Sequence, residues 1–324
     1  MRRDLGYRRH LIAPALATLL AATALHSASA APAPAAARKP IPVSVAELDA
    51  FDAGKTSAKL PNGQTIAYID AGRRDGPPLL LVHGFTDNAR DWLMVAPYLQ
   101  DYRLIIVDLR GHGASSKPEC CYTRLDFAYD LKLLMDHLGI DKTNIAGHSL
   151  GSMVTQTYAE YWPERTRKVV LISSSGGPKP DASPAEVAKR TESFDYRTPI
   201  RKLKDPIDPD SPFMVAWWAS PTPVDETIRS RQRKDAAAIP VNVWLAVMDQ
   251  GLVGNDLQAT LPMLVAPTLL VWGDKDELVS HERKETLRAA LPKAKVKVYP
   301  DFGHNPMWED PADLAREMKA FLKD

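Results

Sequence analysis

One pentapeptide constrains this chain more than any other feature. Gly147-His148-Ser149-Leu150-Gly151 lies between the short apolar run Asn144-Ile145-Ala146 and a helical pattern that opens at Leu150. A serine that ends a strand and starts a helix turns the chain through a sharp, strained bend, which holds its hydroxyl clear of the sheet. Glycines two residues to either side leave room for that bend. In a loop the same five residues would be an ordinary Gly-rich turn; between strand and helix they mark an exposed nucleophile.

The surrounding pattern supports that context. Apolar runs without alternation, such as Leu79-Leu80-Leu81-Val82 and Leu104-Ile105-Ile106-Val107, suit strands covered on both faces. Strands are expected at Pro78–Val82, Arg103–Asp108, Asn144–Ala146, Val169–Ser173, Thr268–Trp272 and Val296–Tyr299. Helical stretches separate them at Leu125–Leu138, Leu150–Trp162, Glu282–Leu291 and Pro311–Leu322. Upstream, Pro61-Asn62-Gly63-Gln64 between Ser57–Leu60 and Thr65–Asp70 is a hairpin signal. The alternation predicts an α/β fold, a mostly parallel twisted sheet with helices on both faces.

One interval breaks the rhythm. From Gly176 to Pro262 no core strand is evident and prolines crowd its first half, yet it carries Phe213, Trp217, Trp218, Trp244 and the apolar run Val241–Met248. It reads as an inserted, mainly helical cap over 176–262, between core segments 46–175 and 263–324. Within it, Arg229–Asp235 is a charge run and reads as a solvated helix face.

The N-terminus reads as an address. Arg2, Arg3, Arg8 and Arg9 precede the charge-free run Leu11–Leu25, and Ala28 and Ala30 fit a signal-peptidase site, so residues 1–30 are expected to be a signal peptide. The apolar run is shorter than the ~20 residues that span a bilayer, which argues against a retained anchor. Arg8-Arg9 suggests the twin-arginine type. Cleavage after Ala30 would remove four basic residues and Asp4, a loss of three from +1, leaving a net charge of −2. Residues 31–45 form an Ala/Pro-rich tether. The mature protein is expected to be periplasmic or secreted, with no membrane span.

Charge and composition exclude other classes. A formal charge of +1 over 324 residues argues against nucleic-acid binding by bulk electrostatics. Two cysteines cannot build a disulfide scaffold, and the adjacent pair Cys120-Cys121 is expected as two free thiols, since neighbouring Cα atoms stand closer than disulfides usually allow. No zinc-spaced Cys/His cluster, P-loop or dinucleotide-type glycine loop is present, so neither metal nor cofactor is expected.

A serine hydroxyl needs a base within hydrogen-bond reach. The Ser149 turn resembles the nucleophile elbow of the α/β-hydrolases, in which the histidine follows the serine in chain order, and only His281 and His304 follow Ser149. His281 opens a charged helix, whereas His304 sits in the loop Asp301-Phe302-Gly303-His304-Asn305-Pro306 past the last strand, so His304 is the expected base. Candidate acids are Asp274 and Asp276 after strand Thr268–Trp272, with Asp301 close to His304 in sequence. Leu150, the residue after the nucleophile, is placed to supply one backbone N–H to an oxyanion hole.

In order along the chain, the motifs are His83-Gly84-Phe85, Asp108-Leu109-Arg110-Gly111-His112-Gly113-Ala114-Ser115, the Ser149 turn, Trp272-Gly273-Asp274-Lys275-Asp276 and Gly303-His304. From about Leu60 to the C-terminus the chain thereby resembles the α/β-hydrolase superfamily, in its capped esterase, haloperoxidase and epoxide-hydrolase-related branch. The resemblance implies Asp276 as the acid, with Asp274 the fallback, and Phe85 as the second oxyanion-hole N–H. His83 and His148 then read as packing or turn residues, and Asp108, Arg110 and His112 as organisers of their loop.

Relatives that dehalogenate or open epoxides carry aspartate at the elbow, so serine points to an acyl-enzyme. Carboxylic esters, or lactones, of small to medium apolar or aryl substrates are expected, with Trp92, Trp217, Trp218 and Trp244 as candidate pocket residues. The same three side chains could serve carbon–carbon bond hydrolysis, aminopeptidase-like cleavage or perhydrolysis. Outside catalysis, the fold could act as a ligand-binding receptor, which would need no triad.

Overall fold

Why the apolar runs form a sheet is evident from their burial. In the computed structural model, which describes residues 39–176, 183, 197–253 and 260–323, eight strands make one sheet. They are β1 (Thr56–Lys59), β2 (Thr65–Gly72), β3 (Pro78–Val82), β4 (Arg103–Val107), β5 (Thr143–His148), β6 (Thr166–Ile172), β7 (Thr268–Gly273) and β8 (Lys295–Tyr299), in the order β1-β2-β4-β3-β5-β6-β7-β8. β1 and β2 form the antiparallel hairpin and β2 runs antiparallel to β4; the other pairings are parallel. Side chains alternate between two cores. Leu80, Val82, Ile105, Val107, Ile145 and Leu171 join one, and Leu79, Leu81, Leu104, Ile106, Ala146 and Val170 join the other. A strand buried on both faces has no polar position to spare, which is why these runs show no alternation.

Helices cover both faces. Among the described helices are α1 (Val45–Ala53), α2 (Arg124–His137), α3 (Leu150–Tyr161), α4 (Pro212–Trp217), α5 (Glu226–Ala237), α6 (Val241–Ala246), α7 (His281–Ala290), α8 (Pro306–Glu309) and α9 (Pro311–Lys323), with a further single turn at Arg197–Ile200. Phe127 and Leu131 of α2 and Val154 and Tyr158 of α3 pack on the first core, and Leu314, Met318 and Phe321 of α9 on the second. Among the described residues, no helix is long and apolar enough to cross a membrane.

The switch in strand order positions the site. β3 lies between β4 and β5, so the chain leaves β3 on one side and returns on the other, and a crevice opens at the carboxyl ends of the strands. Val82 pairs with Gly147 and His148 with Ile172, which brings the segments after β3, β5 and β6 to one edge.

Three expectations change. Packed structure begins earlier than residue 46: Val43 is buried, and Ser44 caps α1 in a reciprocal capping box with Glu47, so the tether gives way before residue 45. Residues 31–38 of the tether and the signal peptide expected over 1–30 lie outside the described residues, as does part of the interval 176–262. Cys120 and Cys121, expected as free thiols, are joined in a vicinal disulfide; Cys121 adopts a left-handed φ of +75°, a turn that folds the two side chains toward each other across a Cα separation of 3.8 Å. The charge run 229–235 lies on α5, but Gln232 is fully buried and Asp235 pairs with buried Arg90, so that helix is only partly a solvated face.

Candidate active site

Ser149 takes φ +50° and ψ −118°, a conformation that L residues rarely adopt, and its N–H donates to Ile172 O at 3.0 Å. The bend needs both glycines. A Cβ on Gly147 would lie 2.2 Å from Gly151 O, and one on Gly151 2.3 Å from His83 O. Gly84 passes over the same turn: a Cβ there would stand 3.0 Å from His148 Nδ1 and 3.3 Å from Ser149 Cβ. The segment after β3 therefore lies directly against the elbow.

His304 follows β8. Its Nδ1 is 3.0 Å from both carboxylate oxygens of Asp276, which leaves Nε2 to exchange a proton with a nucleophile. Its main-chain carbonyl accepts from Ser173 Oγ at 2.7 Å and from His148 Nε2 at 3.0 Å, and the His148 and His304 rings lie 5.0 Å apart. The loop of His304 is thus tied to the turn of Ser149. No hydrogen bond joins Ser149 Oγ to the imidazole; in acyl-transfer sites without substrate this contact is often long and tightens on binding.

Asp276 is buried after β7 and accepts from the N–H groups of Leu278 at 2.9 Å and Val279 at 3.2 Å. Burial pushes its carboxyl up, but the charge and hydrogen bond of His304, with Lys284 and the Val279 N–H, outweigh this and hold it below the usual carboxylate range. It is an ionised partner for a cationic imidazole. Asp274 points elsewhere: its Oδ1 accepts from Asp301 N at 2.7 Å and fixes the turn in which Asp301 has φ +61°. His281 opens α7 at the surface.

Leu150 is the first residue of α3, where helix geometry leaves N–H groups without intrahelical partners. Phe85 follows β3 just before Thr86, whose φ is +63° and whose Oγ1 accepts from Trp217 Nε1 at 2.8 Å. The Phe85 ring meets Trp217 at 5.7 Å and Trp244 at 5.4 Å, and Phe213 stacks on Trp217 at 5.8 Å. Two of the four tryptophans expected in a pocket are therefore brought to Phe85. The other two are not. Trp92 is fully buried in the core on the opposite face of the sheet, and Trp218 stacks on Trp308 at 6.2 Å.

The remaining histidines and charged residues act on the turns. His83 Nε2 accepts from Leu109 N at 2.9 Å, and burial first, then His112, push the ring well below its usual range. His112 is pushed down to about 4 by burial. Asp108 accepts from the N–H groups of Ala89 at 2.7 Å and Ala114 at 2.8 Å, and Arg110 grips Asp130 through two bonds of 2.5 and 2.6 Å. These residues organise their loop, as the sequence suggests.

Sequence reasoning missed a buried polar group beside the elbow. Asp87, Asp91 and His148 place donor atoms within 4.8 Å of one another and are, among the described residues, the group compact enough to hold a cation. The spacing of Asp87 and Asp91 in the segment after β3 was the available signal, while Gln232 of α5, which also reaches Asp87, was hidden inside a charge run.

Comparisons with known proteins agree with this geometry. The family model described as the alpha/beta hydrolase fold matches residues 77–311. Lipase 3 of a Moraxella species is 28% identical over 271 residues, 82% of this chain and 83% of the lipase. The dihydrolipoyllysine-residue acetyltransferase component of the acetoin cleaving system of Pseudomonas putida is 30% identical, over 81% of this chain and 67% of its own length. A membrane phospholipase A, described as a bacterial virulence factor, superposes with a TM-score of 0.67 at 27% identity, over 86% of this chain and 90% of that one.

Proposed function

The chain belongs to the α/β-hydrolase fold family, and from that premise we propose that it is a serine hydrolase that cleaves carboxylic esters through an acyl-enzyme on Ser149. The observation that carries the reading is a strained serine at the strand–helix turn whose neighbour His148 bonds to the main chain of His304, with the His304 Nδ1 held by a buried, ionised aspartate. A binding module would have no use for that charge arrangement. The similar Lipase 3 and phospholipase A, both named for ester hydrolysis, support the bond type.

Ser149 Oγ attacks the ester carbonyl and passes its proton to His304 Nε2, while Asp276 stabilises the imidazolium. Negative charge on the former carbonyl oxygen falls to the N–H groups of Leu150 and Phe85; losing one such donor typically costs ~10²–10³-fold in rate. The tetrahedral adduct collapses, the alkoxide leaves with the proton from Nε2, and water repeats the sequence in reverse roles to free the acid. The aromatic group of Phe85, Phe213, Trp217 and Trp244 favours apolar or aryl substrates, lactones included, since these pass through the same adduct. Export, with cleavage after Ala30, completes the proposal on the basic head and apolar run of the N-terminus.

Purified protein assayed on a series of nitrophenyl esters and an aryl lactone tests this. Ser149→Ala should lose at least ~10³-fold in kcat with thermal unfolding unchanged. Full activity in that variant would overturn the reading, and saturable ligand binding without turnover in the wild type would favour a receptor.

A further inference from the structure

The residue before the nucleophile has a hydrogen-bonding pattern that acyl transfer does not require. His148 is buried, and both ring nitrogens face acceptors: Nε2 is 3.0 Å from His304 O, and Nδ1 is 2.9 Å from Asp91 Oδ2. A carbonyl only accepts, so Nε2 carries a proton. A neutral imidazole has one N–H, so a second proton must lie between Nδ1 and Asp91. Burial opposes a cation here, but the charge and hydrogen bond of Asp91, helped by the His304 carbonyl and by Asp276, raise His148 above its usual range.

Asp91 is itself fixed from behind. Its other oxygen, Oδ1, is buried and accepts from no N–H or hydroxyl group. The neighbour is Asp87, which burial first, then the Asp91 charge, push well above the carboxylate range. A protonated Asp87 supplies the donor that Asp91 lacks. Asp87 also accepts from Gln232 of α5, and Gln232 accepts from Arg90 at 2.6 Å, which in turn grips Asp52 of α1 and Asp235 of α5. One network therefore spans the segment after Phe85, the nucleophile turn, the base loop and a helix of the inserted segment.

We propose that His148 is a positioning residue: an imidazolium, held by Asp91 and Asp87, that pins the main chain of His304 and so sets the approach of its ring to Ser149. The proposal rests on the acyl-transfer reading above. The charged and titratable groups facing His148 are Asp91 and Asp87 from the segment after β3, His83 beside them, Asp276 after β7 and His304 itself. The direct contact between His148 and Asp91 favours a proton over a metal ion between them.

Two measurements test it. In the wild type, long-range ¹H–¹⁵N spectra of the histidine rings at pH 8 should show His148 protonated at both nitrogens, and Asp91→Asn should remove one proton. With a fluorophosphonate that labels Ser149, Asp91→Asn and His148→Gln should react ~10–100-fold more slowly, the scale of a small misplacement of catalytic groups. On a nitrophenyl ester the loss should fall in kcat, with KM within about threefold, because the binding surface is untouched. A merely structural role would lower the unfolding temperature and leave these rates alone. Labelling of both variants at the wild-type rate would overturn the proposal. So would a singly protonated His148, or one equivalent of divalent metal retained after dialysis. Failure of the wild type to label would overturn the acyl-transfer reading instead, and with it the role of His148. If neither variant folds, the wild-type spectrum still decides the protonation.

Discussion

The division of labour between Asp274 and Asp276 shows how two residues of one type in one turn acquire different roles. Asp276 is buried, receives two backbone N–H groups and presents both oxygens to His304, whereas exposed Asp274 spends its carboxylate on the Asp301 N–H. Asp276→Asn should therefore reduce kcat by ~10³–10⁴-fold, because an amide favours the wrong imidazole tautomer and no longer stabilises its cation. Asp274→Asn should leave kcat within a few-fold and lower the unfolding temperature slightly, as expected for a turn residue. Ester turnover and thermal melts on the two variants check both, and the reverse ranking would reassign the acid. Ser149 and His304 stood out in the sequence as candidate nucleophile and base because chain order and flanking glycines single them out. The choice between two aspartates two residues apart was not legible from the residues alone, since it depends on which way a turn directs each side chain. The partnership of Asp87, Asp91 and His148 was hidden for the same reason: it joins segments 57 or more residues apart.

At the scale of elements, the helix behind the nucleophile carries a cost of its own. Glu160, near the end of α3, is pushed up to about 7 by burial, against the hydrogen bond of Thr260 and the charge of Arg124. A carboxyl with a folded-state pKa above its ordinary 4.5 binds more protons folded than unfolded between those values, so stability falls as pH rises through that window. The loss between pH 5 and 8 should be on the order of 3 kcal/mol. Glu160→Gln should flatten the decline, and melts from pH 5 to 8 that fall equally in both proteins would reject the assignment. Element type was legible wherever burial is two-sided or periodic: β3, β4, α2 and α9 lie within a residue or so of expectation. Helix α1, at the start of the segment assigned to the core, was not read at all, although its Ser44–Glu47 capping box was present. The helices between β6 and β7 were not individually legible, because prolines crowd the stretches around them and the buried positions of α5 are few and scattered through a charge run, Gln232 among them.

For the whole molecule, the parallel sheet fixes one functional edge, and segments after β3, β5, β6, β7 and β8 converge there without adjoining in sequence. The compartment in which that edge works is a separate question, and the cysteines bear on it. Adjacent Cys120 and Cys121 are exposed in the segment before α2, where the reducing cytosol would keep them as thiols and an oxidising compartment would keep them paired. Arg110 holds the Cys121 carbonyl at 2.7 Å and Tyr122 N–H donates to Gln250 Oε1 at 2.9 Å, so the peptide bond that follows the pair is anchored through both its carbonyl and its N–H. Protein recovered from the periplasm or medium should therefore begin at Ala31 by mass spectrometry and take up no alkylating reagent until reduced, then two equivalents. The same chain made in the cytosol without its first 30 residues should take up both at once. An intact N-terminus on cytosolic protein would refute export, while a correctly processed chain with two free thiols would refute the pairing and leave export standing.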